Sequence, residues 1–146
     1  MKIAPTAMMV IAAVFIILSA TAPDFLADNK FLIGFVNQEI LSIMAVIMTI
    51  SIATIATIHI WFNELEAKHE KRVFSAARME LNQSAFYFVI LFVAQLVCLV
   101  VRSFSIFESS KVAVSLFNGA SLMLLLLSLV TLLDVLGVVR ALTPKD

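Results

Sequence analysis

The chain has 146 residues, ten acids balanced by ten bases, a 62% hydrophobic share and a mean hydropathy of +1.09. A single domain of this size buries too small a fraction of its surface to hide that much apolar area from water, so a lipid bilayer is the expected solvent for much of it. Zero net charge gives no electrostatic basis for a nucleic-acid partner, and one cysteine, Cys98, excludes an internal disulfide and any paired-cysteine redox or zinc motif.

Apolar stretches of roughly 20 residues, the length that crosses a bilayer, predict four helices: about 6–22, 39–62, 84–101, and one within 112–139. The first ends in Ala20-Thr21-Ala22 before Pro23, which imitates a secretory cleavage site. Pro23 would fall just after the cut, where its fixed φ and missing N–H suit a peptidase poorly. Three later spans hold the chain in the membrane whatever happens there. We therefore read 6–22 as a retained signal anchor. Asp24, Asp28, Asn29 and Lys30 mark the following gap as a polar loop.

In the second helix Gln38, Ser42, Ala45, Thr49, Ala53, Ala56 and Asn63 recur at spacings of three, four or seven, forming a stripe of small and polar side chains. Small residues permit close helix contact in lipid, so packing within the chain is the first expectation. A subunit interface, or the wall of a pore with Thr49 at its narrow point, is the functional alternative. His59 and Trp61 fall where this helix would leave the membrane, as interfacial residues should.

The polar block "NELEAKHEKRVFSAARMELNQ", 63–83, contains no Gly or Pro and should be helical, with a turn around 69–72 and the next helix beginning as early as Val73. Lys68, Lys71, Arg72 and Arg78 make it a candidate docking surface for a partner. A solvated, charge-balanced connector is the plainer reading.

The third helix carries Ser84, Gln95, Cys98 and Arg102 along one side. Gln95 lies deep, where an unpaired amide costs a few kcal/mol, so a bond to Thr49, Asn118 or Ser121 is expected. Arg102, near the end, can snorkel to headgroups or meet Glu108. The fourth helix places Ser121, Ser128 and Thr131 on one flank, with Asn118 beside it. It is longer than one hydrocarbon core, so it should tilt, project, or begin after Asn118-Gly119. Asp134, its sole acid, is a functional candidate by default; interfacial solvation, or pairing with a base of the 63–83 block, weighs equally.

Placing the N-terminus inside gives that side Lys2, Lys68, Lys71, Arg72, Arg78, Arg140 and Lys145, and the outer side only Lys30, Arg102 and Lys111. Both termini are then cytoplasmic. No acid lies at hydrocarbon depth in the first three helices, which argues against proton-coupled export. His59 and His69 stand roughly 15 Å apart along a helix and cannot share a haem. No nucleophile–base pair occurs, so neither an enzyme nor a cofactor or metal is expected.

This layout, four spans with both ends inside and a charged helical central loop, resembles that of small phage-encoded or phage-defence membrane proteins of bacteria. The resemblance implies an inner-membrane setting and a role in phage defence. The expected fold is an all-α four-helix transmembrane bundle in one domain, 1–146. The expected function is that of a non-enzymatic, homo-oligomeric membrane protein whose cytoplasmic hairpin acts as sensor, anchor or regulatory surface for a cytosolic or membrane partner. An oligomeric ion-permeable pore that depolarises the membrane is the second expectation, a small transporter the third.

Overall fold

In hydrocarbon each backbone polar group must be satisfied within the chain, so long runs without glycine or proline close into helices. The computed structural model, which describes residues 3–69 and 74–142, contains α1 (Ile3–Thr21), α2 (Pro23–Ala27), α3 (Lys30–Gly34), α4 (Ile40–His69), α5 (Ser75–Arg102), α6 (Ser105–Glu108) and α7 (Lys111–Leu142). The described residues include no strand. Three segments, Lys30–Lys68, Ser75–Arg102 and Lys111–Arg140, are long and apolar enough to cross a membrane, and a shorter apolar helix covers Met9–Thr21.

The gap after α1 is not the expected loop. Ala22 leaves the helix at φ −140°, ψ 63°, and Pro23 starts α2 at its first turn, where its missing N–H costs nothing. Asn29 then caps α3: its side-chain oxygen accepts from the backbone N–H of Phe31 at 3.0 Å and of Leu32 at 3.3 Å. These short helices form because their apolar residues have a place to go. Leu26, Leu32 and Val36 are buried together against Phe15, Leu18, Phe35, Leu99 and Leu122.

Between α3 and α4 the chain makes a π-type turn, Phe35–Glu39, in which Val36 and Asn37 leave helical geometry. The result is one bent segment. α4 continues past its apolar part to His69, and α5 starts at Ser75, so the polar block is helical on both sides of the connection as expected and the third helix begins two residues after Val73. His69 closes α4, while 70–72 of the expected turn and Val73 lie outside the described residues.

α7 packs against α1, α2, α4 and α5. It runs unbroken through Asn118-Gly119, correcting the late start considered above. Asn118 turns its polar group to α2 instead of ending the helix, and Gly119 lets α1 approach closely: a Cβ there would stand 3.3 Å from the Phe15 Cβ. Toward the other end, Ile47, Ile55, Ile58 and Phe62 of α4 meet Leu81 and Phe88 of α5 and Val135 of α7. Lipid is as apolar as these side chains, so dispersion contacts rather than water exclusion hold this cluster wherever lipid surrounds it.

Candidate functional site

α4 turns Ile40, Met44, Ile47, Ser51, Ile55, Ile58 and Phe62 inward. The stripe expected to pack within the chain lies elsewhere: Gln38, Ser42, Thr49, Ala53, Ala56 and Asn63 are exposed and Ala45 half-buried. The interior takes the larger branched and aromatic side chains because they fill the space against α5 and α7. On the outward face Ser42 donates to the Gln38 carbonyl at 2.9 Å, Thr49 to Ala45 at 2.8 Å and Thr57 to Ala53 at 2.9 Å. Each hydroxyl proton is thus satisfied by its own helix, and the exposed amides of the stripe, Gln38 and Asn63, stand at its two ends.

A second row of small polar groups, Ser115, Asn118, Ser121 and Ser128 of α7, is buried. Ser115 donates to the Ser19 hydroxyl of α1 at 3.1 Å, and Asn118 Nδ2 to the Leu26 carbonyl at 2.7 Å. Ser121 Oγ lies 3.6 Å from Cys98 Sγ, and Ser128 bonds to the Leu124 carbonyl. Gln95 is fully buried beside α7's core face, yet neither end of its amide has a hydrogen-bond partner among the described residues; Asn118 Oδ1 also lacks one. The bond expected for Gln95 is therefore not made. Thr49 faces outward, Asn118 gives its donor to Leu26, and Ser121 lies beside Cys98.

Where α4 and α5 approach their connection, Arg78 Nη2 donates to Asn63 Oδ1 at 2.8 Å and to Glu66 Oε2 at 3.0 Å. The other Glu66 oxygen accepts from the Phe74 backbone N–H at 3.1 Å. The Phe62 and Phe74 rings stack with centroids 4.5 Å apart, and the Arg78 guanidinium lies 5.6 Å from the Phe62 centroid. His59 Nε2 is 3.0 Å from Asn82 Oδ1. Arg78, expected to serve docking, is thus engaged in bracing the hairpin. Lys68 is exposed; Lys71 and Arg72 lie outside the described residues. Asp134 is exposed and, with Glu80, Ser84 and Tyr87, lines a cavity of about 420 Å³.

At the opposite end Arg102, half-buried, donates to the Val36 carbonyl at the helix break. Lys111 Nζ reaches Asp24 and Asp28, each at 2.7 Å. The hydrogen bond and the charge of Lys111 hold the Asp24 carboxyl below its ordinary value of 3.8. Asp24, Asp28, Ser19 and Ser115 were not singled out as partners from sequence. The polar flank of Asn118, Ser121, Ser128 and Thr131 on α7 was visible in the sequence, but partners more than 80 residues away were not.

Among the described residues no group of three His, Cys, Asp or Glu side chains is placed to hold a metal ion. The three long apolar helices are consistent with an integral membrane protein. No family model, curated protein or solved structure matches the chain.

Proposed function

We propose that the chain is a non-enzymatic integral membrane protein that crosses the bilayer four times, counting α1, with both termini and the 63–83 hairpin in the cytoplasm. Copies associate through the outward small-residue face of α4, and the hairpin serves as the anchor or regulatory surface for a cytosolic or membrane partner. The observation that carries this reading is the braced hairpin. α4 and α5 extend beyond their apolar parts, and Arg78, Glu66, Asn63 and the Phe62–Phe74 stack tie them together. A connector needed only for topology requires no such brace; a surface held in fixed shape for recognition does.

In intact cells, a Cys98→Ser variant carrying Asn29→Cys should react with a membrane-impermeant thiol reagent, and one carrying Ser75→Cys should not. The reverse pattern would invert the topology. Purified protein in liposomes should not conduct ions. If it conducts, and Lys68→Gln/Lys71→Gln/Arg72→Gln conducts equally well, a pore lined by α4 replaces the anchor.

A further inference from the structure

The break between α3 and α4 opens a cavity of about 630 Å³ against the end of α5 and the start of α7. This is within the range of small-molecule sites, roughly 300–1,000 Å³. Its walls carry both signs of charge, from Arg102 and Lys111 and from Asp28 and Glu108, with Ile33 and Leu99 supplying apolar surface. Lys111 is already bonded to Asp24 and Asp28. Arg102 is placed differently. Its Nη1 donates to the Val36 carbonyl, and a guanidinium carries five N–H donors in a planar fork suited to a phosphate. One backbone bond fixes the side chain and leaves most of that fork for a ligand. Glu108 lines the same cavity.

A lone anion in this cavity would stand beside Asp28 and Glu108, and a lone cation beside Arg102. A molecule with both charges a few bonds apart meets each with its opposite. Arg102 ends a helix long and apolar enough to cross the membrane; in the four-span topology proposed above, on which this inference rests, the cavity lies at headgroup depth rather than in bulk water. We infer that the cavity binds the zwitterionic headgroup of an aminophospholipid, its phosphate on Arg102 and its ammonium on Glu108, with the acyl chains running over Ile33 and Leu99. The primary ammonium donates hydrogen bonds to the carboxylate, which a quaternary ammonium cannot do. The site therefore prefers phosphatidylethanolamine to phosphatidylcholine, and also to phosphatidylglycerol, which has no cation.

Native mass spectrometry of the detergent-purified full chain, with the three dioleoyl lipids supplied at equal concentration, tests this directly. Phosphatidylethanolamine adducts should dominate, and water-soluble glycerophosphoethanolamine at the same concentration should not displace them. Glu108→Gln leaves the Arg102–Val36 bond in place and should lower the preference over phosphatidylglycerol roughly tenfold, as loss of one charge-assisted hydrogen bond predicts. Arg102→Gln should weaken both lipids together. Equal retention of the three lipids by the unaltered chain would overturn the proposal, as would an unchanged preference in Glu108→Gln. Displacement by the soluble headgroup would overturn the lipid as its source.

Discussion

A buried amide with nothing to bond is an energetic liability, and Gln95 holds one within the helices. Removing an unsatisfied buried polar group recovers about 1–3 kcal/mol. Gln95→Leu, which keeps the volume nearly constant, should therefore raise the thermal midpoint of the purified protein. A lower midpoint would mean that the buried amide is compensated within the folded chain and is not a liability. At the exposed end the sign argument concerns pH. Asp24 titrates lower in the folded chain than in the unfolded one, so its contribution is present above about pH 4 and is lost as pH falls through the depressed folded value. The midpoint difference between the unaltered protein and Asp24→Asn should be positive at pH 6 and shrink progressively as the pH falls below 4. Added salt should shrink it, since the pair is solvent-exposed. A difference that stayed constant from pH 6 through the acid range would exclude charge as its cause. The depth of Gln95 could be read from the sequence, but whether its neighbours were already engaged could not. That depends on the rotation of each helix about its axis.

At the scale of elements, α1 and α7 meet where Gly119 faces Phe15. A valine there adds two methyl groups beyond a Cβ that would already stand 3.3 Å from a side-chain carbon anchored to the backbone. Overpacking of this kind costs about 1–3 kcal/mol. Gly119→Val should lower the midpoint, whereas Gly137→Val, where nothing lies within 4 Å of the added Cβ, should change it much less. Equal effects at the two sites would make helix propensity the whole explanation. The long helices were legible because apolar runs of this length in lipid have few other structures open to them. Their extension into the polar 63–83 block was legible too, because that block lacks Gly and Pro; the contacts that stabilise it, the Arg78–Glu66 pair and the Phe62–Phe74 stack, span the connection and were not. α2 and α3 were hidden behind the charges of Asp24, Asp28 and Lys30, although Pro23 and Asn29 are both helix-start residues.

For the molecule as a whole, the question is what covers the outer side of α4. Ala53 is exposed, so Ala53→Leu meets no neighbour within its own chain and should leave the thermal midpoint of the monomer unchanged. If copies associate on this face, light scattering after size exclusion should show the detergent-solubilised protein shifting toward monomer. An unchanged oligomer would remove α4 from the interface. The all-α class and the membrane setting followed from hydropathy alone, and so did the existence of a small-residue stripe. Which way the stripe faced did not follow. Ile47, Ile55 and Ile58 suit lipid and protein interior equally well, and only the surfaces of α5 and α7 decide between them.

The contacts of α7 with the first part of the chain also impose an order in time. Lys111 with Asp24 and Asp28, Asn118 with Leu26, and Ser115 with Ser19 join residues 83 to 96 positions apart. At ~5–20 residues per second of synthesis, α1 and α2 wait roughly 4–20 s for the segment that completes them. During that interval the Ser19 hydroxyl and the Leu26 carbonyl have no α7 to meet, and the gap at Phe15 that Gly119 will fill stands open. A nascent chain arrested before residue 111 would present these unfinished surfaces to the insertion machinery and to membrane proteases. Truncation before residue 111 should therefore shorten the lifetime of the chain in the membrane, and pulse-chase labelling of the truncated and full-length chains measures it.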